Sequence, residues 1–155
     1  MNQVFSKLEV LYRKRKRELK DCLQLKCFQE EYAKVLEWLL DVGMPCLEKP
    51  LEIAQSYGQT LSYHGNFEKI LAPAKSYILQ AQDLLEDGSN IAQWGTDDCI
   101  GVKEMSKILK TRLDQFTTVL EEKRVALVTC MKFHEMIRDD DWSECLYHVF
   151  SCWYK

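Results

Sequence analysis

Cys145, His148 and Cys152 fall three and four residues apart, so a helix through them carries three soft or borderline metal ligands on one face, with Cys130 or His134 as a fourth. The spacing matches no familiar zinc module, and free thiols beside an incidental histidine are the expected state. The same residues pair a thiol nucleophile with an imidazole base, yet no local motif supplies an orienting group or an oxyanion hole. The acidic stretches Asp97-Asp98, Glu121-Glu122 and Asp139 to Asp141 lack calcium-loop spacing. The glycines are isolated between unrelated segments, so no loop cradles phosphate. The expectation is a protein that is not an enzyme, with no catalytic residues, no metal ligands and no cofactor.

Two other sets of residues point to binding. The run Arg13, Lys14, Arg15, Lys16 and Arg17, with Lys20, can meet an anionic surface such as acidic phospholipid. On a helix these side chains spread around most of the circumference, which suits a solvated surface and gives no support to nucleic-acid binding. The tail places Trp142, Leu146, Val149 and Trp153 at steps of four, three and four, a short apolar helical face made apolar nearly all round by Tyr147, Phe150 and Tyr154. At the other end Phe5, Leu8 and Leu11 are apolar positions beyond the reach of a bundle. Both ends are expected to pack on a neighbouring unit, a protein partner or another copy.

The elements that position these residues are helical. The chain has 155 residues, 46% hydrophobic and 29% charged, which suits one domain with a real core. Its 6 Gly and 3 Pro fall well below the roughly 12% share of average chains, too little turn chemistry for a many-stranded sheet. A formal net charge of −3 rules out a polycation that coats nucleic acid. No stretch approaches the roughly 18 to 20 apolar residues of a membrane span, and no apolar signal core precedes the basic run. Together with seven cysteines, an odd set, this makes a cytoplasmic chain with mostly free thiols the expectation.

Three apolar seams follow. Leu25, Phe28, Tyr32, Val35, Leu39 and Val42 close a first helix from about Val4, with Gly43 and Pro45 as its stop. The region 44–65 reads as connector, with at most a short turn through Leu51 to Tyr57. Phe67, Ile70, Ala74, Tyr77, Ala81 and Leu84 form a second seam that closes at Asp87 to Asn90, with Pro73 implying a start near Ala72 or a kink. After a loop over 91–100, Leu109, Leu113, Phe116, Leu120, Leu127, Cys130 and Ile137 form the third, with Lys123 and His134 at seam positions. Trp38 and Phe116 are expected as core anchors. Leu8, Leu19 and Cys22 correspond to Phe116, Leu127 and Cys130 at a constant shift (127 minus 19 is 108), and Arg15-Lys16 falls on Lys123-Arg124.

Three long helices and this echo resemble a spectrin repeat. Ala33 with Trp38, Leu39 and Leu40 is similar to the first-helix pattern of that family. Leu61, His64, Phe67 and Glu68 are similar to the entry of its second helix, and Arg112, Leu113, Phe116, Arg124 and Leu127 to its third, with phenylalanine where tryptophan is common. The resemblance covers roughly residues 22–138 and extends to divergent repeats of large cytoplasmic adaptors and of Rho exchange factors of the Trio, kalirin and Dbs type, without their exchange domain. It implies an all-α, antiparallel, left-handed three-helix bundle with a long first helix. Residues 1–21 would end a preceding helical unit, 22–138 form the bundle, and 139–155 form an aromatic-rich tail. The implied function is a noncatalytic spacer and protein-binding module of a cytoskeletal or signalling scaffold. A membrane-surface adaptor using the basic run is the alternative.

Overall fold

The computed structural model describes residues 2–50 and 54–138, and every regular element among them is helical. Helix α1 covers Asn2–Trp38 and runs into a π-helical turn, Leu39–Gly43, and a short α2, Met44–Glu48. Helix α3 covers Tyr57–Ala92 and α4 Asp98–Arg138. Among the described residues the all-α expectation therefore holds, with three long helices. The tail positions Trp142, Leu146, Val149 and Trp153, and the Cys145, His148 and Cys152 set, lie outside the described residues.

Helix α1 is long because residues 2–42 contain neither glycine nor proline and are rich in Leu, Lys, Arg, Glu and Gln, all good helix formers. Gly43 and Pro45 do not stop it, contrary to the sequence expectation. A π turn is wider than an α turn, so after Leu39 the next inward residue comes four positions on, at Gly43, and then at Leu47. Val42, expected in the seam, is rotated outward and exposed. Pro45 stands in the first turn of α2, where its missing N–H matters least. The true stop is Pro50, which pushes the preceding Lys49 out of the helical region to φ −57°, ψ 124°.

The expected connector over 44–65 is also corrected, because α3 begins at Tyr57 and carries Gly58 and Gly65 inside it. A capping arrangement sets that start. Gln59 N–H donates to Ser56 Oγ at 3.2 Å, and the Gln59 side chain accepts from the Gln55 N–H at 2.8 Å. Pro73 is exposed within α3, where the carbonyl it leaves unpaired one turn back can meet water, and the helix continues past it. Nor does the seam close at Asp87 to Asn90. Helix α3 extends to Ala92, and the loop before α4 shrinks to residues 93–97, turned by Gly95 at φ 72°. Cys99 Sγ donates to Ile91 O at 3.1 Å and ties the two helix ends together.

The described residues pack as two units, each built from lengths of several helices. The first takes residues 2–39 and Tyr77–Leu113. Its core holds Phe28, Tyr32, Val35 and Leu39 from α1, Ala81, Leu84 and Ile91 from α3, and Cys99, Val102 and Leu109 from α4. Trp38 is not a buried anchor. It is half-buried, its ring stacked on Tyr77 with centroids 4.2 Å apart. The second unit takes Leu40–Ser76 and residues 114–138. It buries Leu47, Ala54, Thr60, Phe67, Ala74, Phe116, Leu120 and Leu127, with Phe116 fully enclosed as expected. Thr60, the one polar residue in the described core, donates its hydroxyl to Ser56 O at 3.1 Å.

Candidate functional site

From Asn2 to Gln24, every residue of α1 is exposed, although the same helix is packed from Phe28 onward. This stretch contains Val4, Phe5, Leu8, Leu11, Tyr12, Leu19 and Leu23, each between 58% and 75% exposed. At about 100° per residue they gather on one side, together with Cys22, while Val10, also exposed, stands on the opposite side. Nine residues make about two and a half turns, so Leu19 faces away from Phe28, nine positions on. The apolar stripe of the first half is thus opposite the side that the core covers in the second half.

The basic run divides by the same arithmetic. Arg13, Lys14, Arg17 and Lys20 each follow an apolar residue by nine positions, Val4, Phe5, Leu8 and Leu11 respectively, and stand on the far side from the stripe. Lys16 flanks it, and Arg15 lies within it. Arg13 pairs with Glu9 at 2.5 Å, while Lys14 and Arg15 approach Glu18 at 4.0 and 3.4 Å. All are exposed pairs one turn apart and contribute little to stability. Residues 2–23 hold seven basic and three acidic side chains, a net +4, against a whole-chain charge of −3.

The echo gains a structural counterpart. At the shift of 108, Phe5, Leu8, Tyr12, Arg15, Leu19 and Cys22 fall on Leu113, Phe116, Leu120, Lys123, Leu127 and Cys130 of α4. Of these α4 positions Leu113, Phe116, Leu120 and Leu127 are buried, and Lys123 and Cys130 are half-buried. One seam pattern occurs twice, covered in α4 and uncovered in α1.

Sequence reading missed a second feature, a groove of about 510 Å³ in the second unit, walled by Cys46, Leu47, Pro50, Tyr63, Phe67, Ile70 and Leu127. Lys49, Asn66 and Lys123 are its polar lining, and Lys123 Nζ donates to Lys49 O. The signals that locate it are the Ser56 to Gln59 cap and the Lys49-Pro50 stop, which turn an apparent connector into two helix ends. Burial pushes the Lys123 ammonium below its ordinary range. A base held low in the folded state binds fewer protons there than when unfolded, so its contribution makes stability rise as pH climbs from that lowered value toward 10.5. Comparing wild type with Lys123→Met by urea denaturation at pH 8 and pH 10 should show a smaller rise in the variant. Equal slopes would contradict the burial of the charge.

Among the described residues Cys130 and His134 join no ligand cluster. Cys130 Sγ lies 3.8 Å from Thr60 Oγ1, and His134 Nε2 bonds to Ala54 O at 2.9 Å, which requires the proton on Nε2 because a carbonyl only accepts. Cys22, Cys27, Cys46, Cys99 and Cys130 are free thiols. Among the described residues no group of three His, Cys, Asp or Glu side chains is placed to hold a metal, and no helix is long and apolar enough to cross a membrane. No family model matches the chain, and no solved structure matches it.

Proposed function

We propose that the chain is a divergent spectrin-type repeat acting as a noncatalytic spacer and protein-interaction module of a cytoplasmic signalling or cytoskeletal scaffold. The observation that carries this reading is the two-sided use of α1. One uninterrupted helix is fixed in a core through Phe28, Tyr32 and Val35 and presents an apolar stripe from Phe5 to Leu23 outside it. A rigid helix of that kind sets distance and offers a surface. The antiparallel, left-handed arrangement belongs to the same proposal. Its left-handedness is supported by the strict seven-residue register of Thr60, Phe67, Ala74, Ala81 and Gly88 in α3, since a period of 3.5 is shorter than the helix's own 3.6.

Affinity capture with the full chain and with Leu8→Glu/Leu19→Glu tests the module. Both changes lie on the exposed half of α1, so circular dichroism should be unchanged while specific protein partners are lost. An identical set of partners from both proteins would overturn the reading.

A second reading is a membrane-surface adaptor, favoured by Arg13, Lys14, Arg17 and Lys20 sharing the arc opposite the stripe. Sedimentation with vesicles containing phosphatidylserine should then exceed that with neutral vesicles and fall as salt rises. Equal sedimentation with both vesicle types would remove it.

A further inference from the structure

We infer that the exposed stripe of α1 seats a second copy of this chain, packed antiparallel along residues 5–22. The inference rests on the interaction-module reading and names its partner. Phe5, Leu8, Tyr12, Arg15, Leu19 and Cys22 alternate steps of three and four, the register of a two-stranded coil. In a parallel pair, equal positions meet and Arg15 faces Arg15 in the middle of the seam.

An antiparallel pair removes that conflict because the seam is symmetric about its midpoint. Phe5 meets Cys22, Leu8 meets Leu19, and Tyr12 meets Arg15. The large ring faces a small thiol, the two leucines interdigitate, and each guanidinium lies on a phenol ring. On one flank Glu9 faces Lys16 of the other copy, and two-fold symmetry makes this contact twice. The second half of α1 is held in the core, so the first half extends an existing helix and needs no nucleation of its own.

A bilayer fits the stripe less well. With the stripe turned to lipid, Arg13, Arg17 and Lys20 point away from the headgroups, and Arg15 is carried into the apolar zone. The seam from residue 5 to 22 is about 26 Å long, which places the contact at the small end of specific interfaces. Residues 2–23 carry net +4 in each copy, so screening of the repulsion between the two segments should strengthen the pair as salt rises, the opposite of binding to an acidic surface.

Sedimentation velocity of the reduced full chain from about 1 to 200 µM should show a monomer–dimer equilibrium that tightens between 50 and 500 mM salt. Leu8→Glu/Leu19→Glu should stay monomeric with an unchanged helical spectrum. Orientation is read by Phe5→Cys, in which mild oxidation should link the new thiol to Cys22 of the other copy, mapped by mass spectrometry. A Cys22-to-Cys22 link in wild type would overturn the antiparallel arrangement. A strictly monomeric chain overturns the inference, and if the stripe variant still loses protein partners, the module reading survives without it.

Discussion

Replacing Phe116 with alanine is expected to destabilise the fold by about 3–5 kcal/mol, measured by urea denaturation followed by circular dichroism. Its ring is fully enclosed in the second unit, with no exposed surface. Truncation therefore removes the whole transfer contribution of a large aromatic and leaves a cavity that the helix backbones cannot close. Trp38→Ala is expected to cost less, about 2 kcal/mol, although tryptophan is larger. Trp38 keeps part of its surface in water, and its main loss is the stacked contact with Tyr77. Equal losses at the two positions, or a loss below about 1 kcal/mol at Phe116, would contradict this assignment of the core.

The contrast between these aromatics also shows where the sequence is legible. Phe28, Tyr32, Val35 and Leu39 are spaced by four, three and four, and all four are buried as their period requires. Trp38, expected from the sequence as a core anchor, is only half-buried. Periodicity identifies Leu39 as the inward residue, and adjacent residues on a helix are about 100° apart. The third seam is legible from Leu109 to Cys130, with the polar positions Lys123 and His134, whereas Ile137, expected to close it, is exposed near the end of α4. A repeated register survives one charged member, because the long lysine stem can lie along apolar surface while its head finds a carbonyl.

The junctions were not legible by the same means. Gly43 and Pro45 carry the composition of a helix end, yet a π turn passes through Gly43 and places Pro45 where its missing N–H costs little. Composition does not encode that extra residue per turn. The start of α3 was encoded, but in a cap of polar side chains between Gln55 and Gln59, not in hydrophobic spacing. The basic run was legible as charge, and its spread around a solvated helix stands, since every member is exposed. Sorting it against the apolar residues nine positions earlier separates the side chains that can meet an anionic surface from Arg15, which shares the stripe.

Gly88→Ala is expected to destabilise by about 1–2 kcal/mol, against the usual direction for this change. In an exposed helix interior, alanine is better than glycine by about 1 kcal/mol. At Gly88 the added methyl would collide with Ser106 Oγ and come within 3.2 Å of the Phe28 ring. Both neighbours belong to the first unit, on α4 and α1. Overpacking of such a site costs about 1–3 kcal/mol and outweighs the propensity gain, so glycine here serves close helix approach. Ser106 Oγ is buried with no hydrogen-bond partner, so Ser106→Ala alone should be neutral or slightly stabilising. The double variant should recover at least half of the Gly88→Ala loss, because the hydroxyl is the nearest obstacle while the Phe28 ring remains. Contacting residues are not additive, and the size of that recovery in a double-mutant cycle measures the collision directly. If Gly88→Ala instead stabilised the protein by the full helix-propensity gain, α1 and α4 would not close on α3 at this position.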